Sequence, residues 1–167
     1  MLATFAGLYL GGSIVSQGAL QPHIDDFLDE LEFLTGDAAT TEYGALRASL
    51  GYPEPWRVNF VEVGNEDNLN GGSYSYTAYR FSMFYDAIKA KYPNMTVIAS
   101  YEIGNLPGDA AQDYHTYNKP NNMIADFAKF DRYNRDHKVI VGAFSSLHLP
   151  SLDRFSILLS FRAKRSL

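Results

Sequence analysis

Val58-Asn-Phe-Val-Glu-Val-Gly-Asn-Glu-Asp67 is the stretch whose reading decides the fold. β-Branched and aromatic residues from Val58 to Val63 predict a strand that stops at Gly64, and polar side chains follow at once. After a polar loop over 65–75, Ala78, Phe81, Phe84, Tyr85, Ile88 and Tyr92 recur at helical spacing until Pro93 ends the run. Met95-Thr-Val-Ile-Ala-Ser100 then reads as a second buried strand. Upstream, Ile24, Phe27, Leu28, Leu31 and Leu34 mark a helix with Pro22 near its start and Gly36 at its stop. Residues 36–56 read as a long connection, with a short helix from Gly44 to Leu50. Downstream, Asp113-Tyr-His-Thr-Tyr117 predicts a short strand ending in polar side chains. Met123, Ile124, Phe127, Phe130 and Asn134 predict a third helix, and Lys138-Val-Ile-Val-Gly142 a compact strand. Strands separated by helices at these lengths pair in parallel through right-handed crossovers, so the class is α/β. A complete (β/α)8 barrel takes about 250 residues, so the 167 present here hold four or five of its strands.

At roughly 100–200 residues per domain, the chain builds one core. Its 46% apolar and 20% charged residues are a globular composition, not a disordered one. A net charge of −5 argues against a nucleic-acid partner, which demands a basic face. The chain has no cysteine, which excludes a disulfide framework, a thiolate metal site and a cysteine nucleophile. No apolar run approaches the roughly 20 residues of a membrane span, so no membrane partner is expected. Met1 to Leu10 is apolar but lacks a basic leader region. It reads as a buried strand, not a signal peptide, and implies that further strands belong upstream.

From Ala143 the composition shifts. Six of the last 23 residues are serine, and residues 143–167 carry +3 against −8 for the rest. The chain therefore divides into a domain over 1–142 and a divergent basic tail over 143–167, read as non-native or disordered sequence. A docked basic helix carrying Phe155, Ile157, Leu158, Leu159 and Phe161 is the alternative.

In α/β barrels the C-terminal strand ends form the active face. Alternation puts Glu62 and Glu66 on one side, but Gly64 can break that parity and leaves open which carboxylate reaches a cleft. A solvated acidic turn capping the next helix accounts for the cluster equally well. Glu66, Asn68, Asn70 and Gly71 imitate the start of a calcium loop, yet Thr77 stands where a bidentate Glu is required, and the match fails. HExxH, GxSxG and P-loop motifs are absent from the sequence. His115 and His137 are too distant in sequence for a metal pair, so no metal and no cofactor are expected. His115 and Tyr117, two apart, share one side of an extended segment, as a pair aimed at a polar ligand or a packed pair would. Tyr74, Tyr76 and Tyr79 offer faces for a sugar ring, although helix-entry packing claims Tyr79 first; Trp56 is similarly ambiguous.

Trp56-Arg-Val-Asn-Phe-Val-Glu-Val-Gly-Asn-Glu-Asp67, the preceding Tyr43-Gly-Ala-Leu-Arg-Ala-Ser-Leu-Gly-Tyr-Pro-Glu54, and Asp86-Ala-Ile-Lys-Ala-Lys-Tyr-Pro93 resemble fungal α-L-arabinofuranosidases of glycoside hydrolase family fifty-one. The likeness runs from about residue 3 to 142. Gly-Asn-Glu alone is shared by many barrel glycosidases, whereas the Gly-Ala-Leu-Arg and Pro-Glu-Pro context is more specific. The resemblance implies a partial TIM barrel, approximately strands 3 to 7 with their helices. It implies a retaining hydrolase removing terminal arabinofuranosyl groups from arabinan or arabinoxylan, with Glu66 as general acid/base and Asn65 on a sugar hydroxyl. His115 and Tyr117 would orient the acid/base and the catalytic pair. The family's nucleophile belongs in a Gly-Glu-aromatic triplet, where this chain has Gly142-Ala-Phe144, so Ala143 occupies its position and activity is expected to be impaired. A catalytically inactive carbohydrate-binding remnant, or an unfolded fragment, is the alternative expectation. Oligomeric state and compartment stay unassigned; a secreted parent enzyme is compatible with the sequence, with Asn94-Met-Thr96 as a glycosylation acceptor.

Overall fold

A computed structural model describes residues 1–133 and 135–146. Its sheet has five strands, β1 (Leu2–Thr4), β2 (Phe60–Val63), β3 (Thr96–Ala99), β4 (Ala111–Asn118) and β5 (Val139–Ser146). All pair in parallel, in sequential order. Sequential parallel strands linked by crossovers trace an arc of a (β/α)8 barrel, the expected partial barrel.

Helix α1 (Gln21–Thr35) and α2 (Glu42–Ser49) fill the first crossover. Ile24, Phe27 and Leu31 of α1 are buried at the helical spacing read from the sequence. The Thr41 hydroxyl caps α2 by accepting the Gly44 N–H at 3.2 Å. Arg47 of α2 is fully buried, and its guanidinium donates to the carbonyls of Phe33, Tyr52 and Pro53 at 2.7–3.0 Å, fastening the long connection to α1. The second crossover is one continuous helix in three parts: a turn α3 (Ser73–Ser75), a π-helical turn (Tyr76–Arg80) and α4 (Phe81–Lys91). The π turn has no counterpart in the sequence reading.

Val61, Val63, Val97 and Ala99 point to the helix side of the sheet and pack with Ile24, Phe27, Phe84 and Ile88 in the core. Glu62 and Ile98, register partners on β2 and β3, alternate with them and face the interior of the arc. The sheet therefore has an apolar outer face and an interior face that carries chemistry.

Three expectations need correction. The N-terminal strand ends at Thr4, because a Leu8–Ile14 antiparallel bridge turns the chain back, and Leu10 is 99% exposed. The third helix is broken into α5 (Pro120–Ala125) and a 3-10 turn (Lys129–Arg132) with no buried residue. Ile124 and Phe127 find no core there and stay exposed, while Phe130 packs edge-on against Tyr114. β5 runs over Val139–Ser146, four residues past Gly142, where the expected strand ends. Asn134 and residues 147–167, which include the apolar positions of the tail, lie outside the described residues.

Candidate functional site

The backbone leaves β2 through two left-handed residues, Gly64 at φ 85° and Glu66 at φ 51°. Glycine is required at the first, since a Cβ there would collide with the Asp67 carboxylate. A left-handed Glu is strained by about 1–3 kcal/mol and persists only where its surroundings hold it. Asp67 does the holding: its Oδ2 accepts the Asn65 N–H at 3.0 Å and faces the Ser100 hydroxyl at 3.3 Å. Arg80 forms a buried ion pair with Asp67 and donates to Ala6 O, Gly72 O and Ser75 Oγ. Behind the loop, the buried Tyr76 hydroxyl donates to Val63 O at 2.5 Å and accepts the Ser100 N–H at 2.9 Å.

This turn delivers Glu66 to β4, two strands away. Glu66 Oε1 lies 3.0 Å from His115 Nδ1 and accepts the Tyr117 hydroxyl at 3.3 Å. The other ring nitrogen, His115 Nε2, lies 3.0 Å from Asp113 Oδ2. Asp113 Oδ1 in turn accepts the Gly142 N–H of β5 at 2.6 Å. A Cβ at position 142 would strike that carboxylate, which explains why glycine stands there. One imidazole is thus held between two carboxylates from two levels of the barrel. Burial works against its charge, but hydrogen bonds to Glu66 and then Asp113 outweigh burial and raise the His115 pKa above its ordinary value.

Glu62 settles the parity question left by Gly64: both carboxylates reach this cluster, Glu66 at the rim and Glu62 beneath it. Glu62 is 6% exposed, and its Oε1 has no hydrogen-bond partner. Burial, followed by the Asp113 charge, pushes its pKa up to about 7. Above the cluster opens a cleft of about 590 Å³, lined by Glu66, Ser100, Tyr101, Asp113, His115 and Tyr117 among others. Burial and the Glu66 charge raise the Tyr117 pKa, so its hydroxyl keeps its proton and remains a donor.

Of the sequence-predicted residues, Glu66, His115 and Tyr117 meet at one point. Asn65 is exposed and lines a separate depression with Leu8, Tyr9 and Asn70, which it shares with Glu66. Ala143 is the register partner of His115. Tyr76 belongs to the core and Tyr79 donates to Val15 O at 2.6 Å, so neither offers a face for a sugar, whereas Tyr74 is exposed. Trp56 packs against Phe33 and Tyr52 and does not line the cleft. Asp113 and Arg80 were missed. Each carried a signal: Asp113 stands two residues before His115 on the same strand face, and Arg80 interrupts the apolar stripe of a helix.

The Alpha-L-arabinofuranosidase 1 domain family matches residues 1–135. A probable α-L-arabinofuranosidase A of Aspergillus flavus is 45% identical over 153 residues, covering 87% of this chain and 24% of that protein. The α-L-arabinofuranosidase A of Aspergillus niger is 44% identical over 140 residues, covering 81% and 22%. The structure of an arabinose-bound family 51 α-L-arabinofuranosidase aligns with a TM-score of 0.76 at 35% identity, covering 85% of this chain and 23% of that one. The chain thus spans about a quarter of the length of the relatives it matches.

Proposed function

The chain belongs to the Alpha-L-arabinofuranosidase 1 domain family, and from that premise we propose that it carries the acid/base side of a retaining site for terminal non-reducing α-L-arabinofuranosyl groups of arabinan or arabinoxylan. The observation that carries this reading is the grip on one carboxylate: Glu66 Oε1 meets both His115 Nδ1 and the Tyr117 hydroxyl at the C-terminal end of β2. In this role protonated Glu66 gives its proton to the glycosidic oxygen as the bond to the anomeric carbon breaks. His115 and Tyr117 orient the carboxyl, and Asn65 hydrogen-bonds a sugar hydroxyl beside it.

Retention needs a second carboxylate, about 5–5.5 Å away, that attacks the anomeric carbon and holds the sugar as a covalent ester. Ala143, at the nucleophile's position, supplies only a methyl group. The carboxylates nearest to His115 do not substitute for it. Asp113 is 2% exposed and bonded through both oxygens, and Glu62 is sealed below it. The chain therefore binds an arabinofuranosyl end group and turns it over poorly or not at all. Loss of the nucleophile also supports the second reading, a catalytically inactive carbohydrate-binding remnant.

Anion rescue tests the proposal. Azide or formate, occupying the space above Ala143, should restore cleavage of an activated aryl α-L-arabinofuranoside, with azide giving the β-configured glycosyl azide. A folded sample that binds arabinofuranosides but stays silent with added anion selects the binding remnant. A folded sample that neither binds nor cleaves overturns both readings.

A further inference from the structure

We propose that Glu62 is a positioning residue that acts through Asp113 and His115: it holds a proton against Asp113 on the floor of the cleft and so sets the charge of the imidazole that grips Glu66. For its catalytic meaning alone, this inference rests on the acid/base reading of Glu66. One polar side-chain atom from each of Glu62, Asp113 and His115 lies within 4.8 Å of the others, and Glu62 and Asp113 are both buried. A side-chain hydrogen bond joins their two carboxyl groups. Two carboxylates are both acceptors, so that bond requires a proton.

The proton belongs to Glu62. Asp113 has the partners an anion needs, with Oδ1 accepting the Gly142 N–H at 2.6 Å and Oδ2 facing His115 Nε2 at 3.0 Å. Glu62 leaves Oε1 without a partner, which a neutral carboxyl tolerates far better than a carboxylate. The charged groups around Glu62 are Asp113 and His115 of β4 and Asp67 of the loop after β2, the last paired with Arg80. Its register partners, Ala3 on β1 and Ile98 on β3, add none. One negative charge, on Asp113, therefore lies beneath the imidazole while Glu62 keeps its proton, and two once that proton is lost to solvent. The second charge favours imidazolium. As pH rises through neutrality, ionisation of Glu62 thus holds the proton on His115, and Nδ1–H stays directed at Glu66 Oε1, 3.0 Å away. A neutral residue at position 62 would let His115 discharge at lower pH.

Isotope-edited NMR of the full chain, labelled in glutamate carboxyl carbons and histidine ring nitrogens and titrated with pH, tests the proposal. One glutamate carboxyl should ionise near pH 7, far above the ordinary 4.5, and its signal should vanish in Glu62→Gln. The amide of that variant is neutral at every pH and still able to donate to Asp113, so His115 should lose its proton at lower pH than in the parent. A merely structural Glu62 would leave the histidine curve unmoved. That result, or the absence of a late-ionising glutamate, overturns the proposal. Where Glu62→Gln does not fold, the unmodified chain decides. Coupled groups record each other's ionisation, so the late carboxyl and His115 should each titrate in two steps, and two independent single steps overturn the coupling. Neither readout uses a sugar. Failure here therefore leaves the acid/base reading of Glu66 standing, and silence in anion rescue leaves the Glu62–Asp113 pair standing.

Discussion

Arg80 and Asp67 form an ion pair in which the two side chains are 0% and 3% exposed, and this pair joins the second crossover helix to the loop that carries Glu66. Removing one member of a buried pair leaves the other charge uncompensated, at a cost of about 3–5 kcal/mol. Arg80→Met is therefore expected to lower the urea midpoint by an amount corresponding to that loss. Arg80→Lys should recover little, because one ammonium cannot reach Ala6 O, Gly72 O and Ser75 Oγ from the positions the planar guanidinium occupies. A loss under about 1 kcal/mol for Arg80→Met would contradict the buried-pair account.

Tyr76→Phe keeps the ring and deletes one oxygen. Val63 O loses its 2.5 Å donor and Ser100 N–H its 2.9 Å acceptor, both in the core beneath the Glu66 loop. The expected destabilisation is about 1–3 kcal/mol, the cost of leaving buried polar groups unpaired. Equilibrium unfolding measures it, and a variant indistinguishable from the parent would show that water replaces the hydroxyl.

The same residues explain what was legible in the sequence. Val61 and Val63 against Glu62 state a strand with one apolar face, and Ile24, Phe27 and Leu31 state a helix that covers it, so the α/β class followed from period and connection length, and the partial barrel from the family resemblance. His115 and Tyr117 were legible because parity on a strand is a local property. Asp67, Arg80 and Ser100 were not, since their partnership spans 13 to 33 residues of separation and depends on a left-handed turn at Glu66 that no pattern announces. The third helix was misread because Ile124 and Phe127 have helical spacing without a surface to bury against. Periodicity reports what an element would bury, not whether a neighbour is there.

Glu32 gives a pH-dependent contribution whose sign is fixed by its partners. Lys91 Nζ at 2.8 Å and the Tyr43 N–H at 3.3 Å hold its pKa below the ordinary value of 4.5. A depressed carboxyl stabilises the fold above its unfolded pKa, and that stability is lost as pH falls through the lower folded value. The difference between the parent and Glu32→Gln should be constant near neutrality, about 0.5–1 kcal/mol for such a partly exposed pair. It should shrink as pH drops below 4.5. Denaturation midpoints between pH 3 and 7 check this, and a difference that grows on acidification would reverse the assignment.

The acid/base role proposed for Glu66 is best separated from binding in a full-length version in which Ala143→Glu supplies the proposed nucleophile. There, Glu66→Gln keeps a side chain of the same shape facing His115 and Tyr117 but has no proton to give. Substrates with poor leaving groups need that proton, so kcat/KM on arabinan should fall by about 10²–10⁴-fold. An activated aryl arabinofuranoside leaves as a stable phenolate and needs little protonation, so its first step should be nearly unaffected. Equal losses on both substrates would mean that Glu66 acts through the shape of the site, with His115 and Tyr117 anchoring a binding residue and not a proton donor.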